Sequence, residues 1–234
     1  MSEPEDRRKQ LLQLAAGAVF LAIAVVLVLI VVNGSSGGDG GDTSLEGVAE
    51  VNRELAGIPQ QGMVLGDPKA PVELVEFADL QCPYCKAFAE EVLPSIIETQ
   101  VKNGEAKVAF HNFTIIGEQS PPAGAAALAA GAQGRGWNYV KLFYRNQGTE
   151  DSGYADDAFL ESVAKGAGVE NLEKWNQDRA KFLPEVEATT AEAQELGFNG
   201  TPSFAIEGPK TKGLEPLGTP ESVGDLEKAI AEAG

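Results

Sequence analysis

The chain's two cysteines, Cys82 and Cys85, stand in the motif CPYC and are the only cysteines in its 234 residues. Thiols at this spacing can bind a metal, attach haem, form a structural disulfide or exchange electrons. A structural zinc site needs four ligands, and His111 is the only histidine that could join the two thiols. Haem attachment needs a histidine directly after the second cysteine, where this chain has Lys86. A structural disulfide and a redox centre remain.

The local sequence favours the redox centre. A disulfide across so few residues closes a very small loop, and such loops stabilise a fold least. A buried strand is predicted before the motif and a helix after it, so Cys82 would face the unpaired N–H groups and the positive dipole of a helix start, which stabilise a thiolate. Cys82 is then the attacking thiol, and Cys85, one turn further on, is shielded and acts second. Pro83 suits the first turn of a helix, and Tyr84 either tunes the thiolate or covers it.

Two further features fit a redox site. Glu76 lies six residues before Cys82 on the strand that is predicted to be buried, and a buried carboxyl near the second thiol could shuttle its proton. The alternative is a strand-edge glutamate that faces water. Thr201 and Pro202 precede the strand-like segment SFAI, and proline at the first residue of a strand is compatible with either peptide isomer.

Other residues that could bind or react are interpreted as structural. His111 is expected to be a packing or surface residue, because thiol exchange needs no imidazole base. Four aromatic residues follow the face of a predicted helix, which favours a place in the core over a peptide-binding surface. They are Trp137, Tyr139, Phe143 and Tyr144.

An alternation of strands and helices must position these residues. Apolar, β-branched runs predict strands at 72–80 and 106–115, a short edge strand at 62–66, and two more within 201–208 and 212–218. Helical spacing continues directly from the CPYC motif and returns from residue 120 to about 196, where glycines and prolines such as Pro184 are expected to separate successive helices. A short helix is expected within 44–57, and a final one from Thr219, as its N-cap, to Ala233. The predicted class is α/β, with a helical block between the strands.

The N-terminal part of the chain predicts a membrane anchor. An unbroken apolar run from Leu14 to Val32 is about as long as an α-helix needs to be to cross a bilayer. This run is longer than the apolar part of a typical signal peptide, and no small-x-small cleavage signal follows it. The basic residues at positions 7–9 place the N-terminus in the cytoplasm and the rest of the chain outside.

We therefore predict a single-pass protein of the cell membrane whose catalytic domain is extracytoplasmic. Its predicted parts are a cytoplasmic tail at 1–10, a transmembrane anchor at 11–32, a flexible linker at 33–44 and a domain at 45–234 with a helical insertion at about 119–196. The net charge of −17 argues against nucleic acid as a partner. No extended coiled coil or dimerisation segment is apparent, so we expect a monomer.

Three segments together resemble the membrane-anchored, DsbA-like thiol-disulfide oxidoreductases of the thioredoxin superfamily. The likeness covers roughly residues 56–232 and is carried by EFADLQCPYCKAFAEEVLP, FHNFTIIGEQSPPAGAAALAAGAQGRGWNYVKLF and GFNGTPSFAI. It implies a thioredoxin fold with a helical insertion, in which Pro202 is cis and packs against a disulfide between Cys82 and Cys85. It also implies that Thr201 offers its backbone to a substrate chain and that Glu76 is the family's buried acid.

The resemblance implies a function and leaves the direction of electron flow open. The expected function is formation of disulfides in cysteine-containing exported proteins, with reoxidation by a quinone-linked membrane partner and no metal or organic cofactor. DsbA-type oxidases commonly have histidine where this chain has Tyr84, and CPYC also occurs in isomerase-like and glutaredoxin-like branches. The alternatives are therefore a disulfide reductase or isomerase of the same fold, and a non-enzymatic, chaperone-like module that binds peptides.

Overall fold

A mixed β-sheet carries the CPYC motif at the end of its central strand. The computed structural model describes residues 45–218, 220 and 222–234, and these contain a six-stranded sheet in the order β1-β2-β4-β3-β5-β6. Strands β3 and β4 are parallel, and the other neighbouring strands are antiparallel. The strands are β1 Gln60–Gln61, β2 Val64–Leu65, β3 Val72–Ala78, β4 Ala106–Asn112, β5 Ser203–Glu207 and β6 Glu215–Pro216.

Helices cover the sheet and fill the segment between β4 and β5. They are α1 Val48–Glu54, α2 Pro83–Ala87, α3 Leu93–Ile96, α4 Ser120–Gly131, α5 Gly136–Arg145, α6 Asp157–Gly166, α7 Leu172–Glu195 and α8 Val223–Ala233. Helices α2 and α3 belong to one continuous helical segment, residues 83–101, which we call the motif helix. Two π turns widen it, at Phe88–Val92 and at Ile97–Val101. The predicted order of strands and helices is confirmed except at the sheet edge, where the single strand predicted at 62–66 is a hairpin of β1 and β2 with its turn at residues 62–63.

Strand β3 is buried on both faces because it lies between β4 and β5 and is covered on each side. Its side chains alternate, so Leu74 and Ala78 join the larger apolar cluster, whereas Val75 and Phe77 join a smaller one on the opposite face. Glu76 shares the face of Leu74 and Ala78. The strand therefore carries a carboxyl into the larger apolar core.

The aromatic residues of the helical block lie in the core, as their spacing predicted. Trp137, Tyr139, Phe143 and Tyr144 are all fully buried. The indole N–H of Trp137 donates to the carbonyl oxygen of Met63 at 2.8 Å. The helical block is thereby joined to the edge of the sheet.

Two predicted helix boundaries are wrong. Pro184 does not separate two helices but lies inside α7, a single helix of 24 residues. Proline removes one backbone hydrogen bond, and close packing of α7 on α4 compensates: a Cβ on Gly124 would lie 3.3 Å from Val186, which is fully buried. The last helix begins at Val223 with Ser222 as its N-cap, and Thr219 lies outside the described residues.

The predicted anchor at 11–32 and linker at 33–44 also lie outside the described residues. Within the part of the chain that is described, no helix combines the length and the apolar character that crossing a membrane requires.

Candidate active site

The two cysteines lie where strand β3 passes into the motif helix. Cys82 is the N-cap residue of α2 with extended backbone angles, and Pro83 follows at the first helical position. Cys82 is 2% exposed and Cys85 is fully buried. Their sulfur atoms are not bonded to each other in this structure, which therefore presents the dithiol form of the motif.

The environment of Cys82 stabilises its thiolate. A hydrogen bond from the Cys85 thiol is the largest cause that lowers the pKa of Cys82, from an ordinary value of 9.0 to about 6. Burial opposes this shift, while the side chain of Thr201 and the backbone N–H groups of Cys85 and Tyr84 add to it. At pH 7 most of Cys82 is therefore a thiolate, the form that attacks disulfides and leaves from them.

Cys85 has the opposite character. Burial raises its pKa well above the ordinary range, and its hydrogen bond to Cys82 and the charge of Glu76 raise it further. A backbone hydrogen bond from Asp79 acts in the other direction. The pair is thus divided into a thiolate at Cys82 and a neutral thiol at Cys85.

Glu76 lies beneath the thiol pair rather than at a water-facing strand edge. Its side chain is 0% exposed, and neither carboxyl oxygen has a hydrogen-bond partner among the described residues. Burial raises the pKa of Glu76 to about 8, the positive charge of Lys141 opposes the shift, and Cys82 adds to it. The carboxyl is therefore mostly neutral at pH 7, and its charge, when present, acts on Cys85.

Thr201 and Pro202 approach the cysteines from the loop before β5. The peptide bond between them is cis, as the resemblance implied. In its neutral form the Cys82 thiol donates to the carbonyl oxygen of Thr201 at 3.3 Å. The loop thus places a backbone acceptor beside the reactive sulfur.

A groove of about 840 Å³ opens next to this loop. Its walls include Tyr84, Phe88, Phe198, Pro202 and Leu217. The side chain of Tyr84 is 74% exposed, so its ring is available at the wall of the groove, while its backbone N–H acts on Cys82. An extended peptide that carries a cysteine could lie in this groove.

Asp79 holds the turn between β3 and Cys82, a role that the sequence analysis missed. Its buried carboxylate accepts hydrogen bonds from the backbone N–H groups of Gln81 at 2.9 Å, Ile115 at 2.8 Å and Ile116 at 3.0 Å. The turn is thereby fixed to the segment that follows β4. An acidic residue between a buried strand and the motif is the sequence signal that could have indicated this role.

The helical block also holds the turn through two residues that were not predicted for this purpose. The hydroxyl of Tyr144 donates to the carbonyl oxygen of Asp79 at 3.2 Å. The side-chain amide of Gln147 donates to the carbonyl oxygens of Leu80 at 2.8 Å and Cys82 at 3.0 Å. These contacts join residues about sixty-five positions apart in the chain, so no local sequence pattern predicts them.

His111 packs as expected. It is partly buried, its Nδ1 lies 3.1 Å from the carboxylate of Glu192, and its ring meets Phe77 edge to face. Within the described part of the chain, no group of three His, Cys, Asp or Glu residues could hold a metal ion.

Comparison with known proteins agrees with this geometry. The family described as Thioredoxin matches residues 59–231. The probable disulfide bond formation protein D of Bacillus cereus is 30% identical over 200 residues, which cover 83% of this chain and 88% of the relative.

Two solved structures share the fold. BdbD of Bacillus subtilis, in its oxidised form, superposes with a TM-score of 0.65 at 22% identity, over 75% of this chain and 97% of BdbD. A thioredoxin-like oxidoreductase from Silicibacter pomeroyi superposes with a TM-score of 0.58 at 27% identity, over 73% of this chain and 90% of that protein. The expected thioredoxin fold with additional helices is therefore confirmed.

The pKa of Cys82 can be tested by alkylation. We expect the rate of reaction of reduced protein with iodoacetamide to rise with pH around a midpoint near 6, because the thiolate reacts and its pKa is about 6. In a Cys85→Ala variant the midpoint should move up, because the largest stabilising hydrogen bond is lost. The pH dependence of the alkylation rate measures both. A midpoint near 8.5, the value of a free cysteine, in the unchanged protein would contradict the geometry described above.

Glu76→Gln should slow the step in which Cys85 leaves a disulfide, since glutamine cannot give the sulfur a proton. We expect a loss of about 100-fold, within the usual range for a proton-transferring side chain. In the unchanged protein this rate should fall as rising pH removes the proton of Glu76, whose pKa burial raises, and the variant should lack that fall. Stopped-flow reduction of oxidised protein by a dithiol peptide measures the rate. Equal pH profiles for the two proteins would remove Glu76 from the reaction.

Proposed function

The chain belongs to the thioredoxin superfamily and is a DsbA-like thiol-disulfide oxidoreductase, and from this premise we propose that it forms disulfide bonds in exported proteins. The observation that carries the proposal is the pairing of a stabilised thiolate at Cys82 with a neutral carboxyl at Glu76 beneath the motif. A stabilised thiolate favours the reduced form of the motif. The oxidised form therefore passes its disulfide on readily.

The pKa of Cys82 gives a scale for this tendency. The value of about 6 lies between about 7 in thioredoxin and about 3.5 in DsbA, whose reduction potentials are about −270 and −120 mV. The lowered pKa of Cys82 therefore supports a reduction potential between these two values, and a motif that can pass its disulfide on.

The first chemical step transfers one sulfur–sulfur bond. A substrate thiolate attacks Cys82 in the Cys82–Cys85 disulfide, forming a mixed disulfide between the substrate and Cys82. The bond between Cys82 and Cys85 breaks, and Cys85 leaves with the electron pair. Because its thiolate would be buried, it takes a proton, and the neutral carboxyl of Glu76 is placed to give one.

The second step releases the product. A second thiolate of the substrate attacks the substrate's own sulfur in the mixed disulfide, and Cys82 leaves as the thiolate that its surroundings stabilise. The substrate has then lost two electrons and holds a disulfide, while the enzyme has gained them as a dithiol. During both steps, the carbonyl oxygen of Thr201 and the groove beside Pro202 are available to hold the substrate chain.

Location and partners extend the proposal. We place the domain outside the cytoplasm, tethered to the cell membrane by the apolar run Leu14–Val32, which is supported by the length of the run and the basic residues before it. Reoxidation needs an acceptor for two electrons, and a quinone-linked membrane protein is the expected class. We propose that the protein works as a monomer on cysteine-containing exported proteins.

The reduction potential is the first test of electron direction. Equilibration of the Cys82–Cys85 pair with glutathione buffers should give a value between about −270 mV, the potential of thioredoxin, and about −120 mV, that of DsbA. The fraction of reduced protein at each buffer ratio can be counted by thiol trapping and mass spectrometry. A value at or below about −270 mV would identify a reductase instead.

An activity assay accompanies this measurement. Oxidised protein should convert a reduced, unfolded protein with two cysteines to its disulfide form, and Cys82→Ser should abolish the conversion. Conversion at an equal rate by the Cys82→Ser variant would mean that the thiol pair is not the oxidant.

The membrane topology is tested with reporter fusions in a bacterial host. A reporter that is active only outside the cytoplasm should be active when it is fused after Gly234, because the basic residues at 7–9 hold the N-terminus inside. The same reporter fused after Lys9 should be inactive and serves as the control. An inactive fusion after Gly234 would overturn the proposed orientation.

A further inference from the structure

The helical block contains a buried lysine that no sequence pattern had indicated. Lys141 lies in the middle of α5 and is 7% exposed, and it is the only basic residue among the buried residues that the structure describes. An ammonium group is expensive to bury unless it is paired and hydrogen-bonded. The position therefore needs a reason beyond packing.

Two contacts hold the ammonium group. Its Nζ donates a hydrogen bond to the carbonyl oxygen of Ala89 at 3.0 Å. It also lies 2.8 Å from Oε1 of Glu54 in α1, an ion pair whose geometry is not that of a hydrogen bond. Lys141 thus joins three elements: α1, α5 and the motif helix.

The π turn of the motif helix leaves the carbonyl oxygen of Ala89 without its regular backbone N–H donor. In that turn the N–H of Leu93 bonds to the carbonyl of Phe88, five residues earlier. The next bond of this pattern would run from residue 94 to Ala89, but Pro94 has no N–H. Lys141 takes the place of the missing donor.

Helix α5 contacts the chain on both sides of the CPYC motif. Ala89 lies four residues after Cys85, on the same face of the motif helix one turn further on. Tyr144, three residues after Lys141 on α5, donates to the carbonyl oxygen of Asp79, which lies three residues before Cys82. Helix α5 therefore places its one buried positive charge against the face of the motif helix that carries Cys85.

Several charged or titratable groups act on Glu76 in this space. Burial raises the pKa of Glu76 most, the charge of Lys141 opposes it, and Cys82 adds to it. Cys85 of the motif helix and Tyr144 of α5 also interact with the Glu76 charge. Lys141 is the only cation among these groups.

We propose that Lys141 is a positioning residue for thiol exchange. Its ammonium group holds the π turn that follows Cys85 in place through the carbonyl oxygen of Ala89. It also supplies a positive charge near Glu76 and the two cysteines. Burial raises the pKa of Glu76 most, and the helical insertion limits that rise through the charge of Lys141. This inference rests on the thiol-exchange activity but does not depend on the direction of electron flow.

The test is a titration of Glu76 itself in the reduced, full-length protein. The side-chain carboxyl carbon is followed by carbon-13 NMR against pH, and Glu76→Gln identifies its signal. The unchanged protein should titrate near pH 8. Lys141→Met removes both the positive charge and the hydrogen-bond donor. Lys141→Gln removes the charge but keeps an N–H that can bond to Ala89. Because both variants lose the charge, each should raise the Glu76 midpoint by about one pH unit.

Matched controls separate this effect from general ones. Lys165→Met removes an exposed lysine that pairs with Glu161 on α6 and should leave the Glu76 midpoint unchanged. Lys141→Arg keeps the charge and should restore most of the original midpoint. If Lys141→Met does not fold, Lys141→Gln gives the same comparison.

A Glu76 midpoint that stays the same or falls in the neutral Lys141 variants would overturn the proposal. The rate at which Cys85 leaves a disulfide gives a second readout, and the pH at which this rate falls should move upward together with the NMR midpoint. Because the titration involves no substrate, a failure of the protein to oxidise exported proteins would leave this result intact. The two proposals can therefore fail separately.

Discussion

The site depends on three acidic groups that share one space closed to water. Cys82, Cys85 and Glu76 are all buried, and a medium of low polarity cannot hold a negative charge on each of them. The hydrogen bond from Cys85 and the backbone N–H groups at the helix start assign the charge to Cys82. Cys85 and Glu76 are left protonated at pH 7, and this division prepares one sulfur to leave as a thiolate and the other to receive a proton.

The surrounding structure maintains that division. Strand β3 lies at the middle of the sheet, so Glu76 cannot turn to water as a residue on an edge strand could. The carboxylate of Asp79 and the amide of Gln147 hold the turn before and at Cys82. A small change in this turn would alter the hydrogen bonds at Cys82 that lower the pKa of its thiol. The rigidity of the turn therefore helps to keep Cys82 reactive.

The helical insertion has two roles in this arrangement. Its aromatic core covers the larger face of the sheet and excludes water. It also contacts the backbone at and around the motif, through the amide of Gln147 at Cys82, the hydroxyl of Tyr144 at Asp79 and the ammonium group of Lys141 at Ala89. A block that could be regarded as an addition to the thioredoxin fold is thus in contact with the turn and the helix that hold the reactive thiols.

The sequence by itself determined the class of chemistry and the main elements. Two cysteines at helix-start spacing, a preceding buried strand and a distal Thr-Pro pair are local patterns, and local patterns report strand, turn and helix directly. Only the tertiary structure decided that Glu76 is enclosed, that Pro184 lies within one helix, and that Lys141 and Gln147 reach the motif helix and the turn before it. These outcomes depend on the dielectric surroundings and on contacts between distant segments, and the chain must fold before either exists.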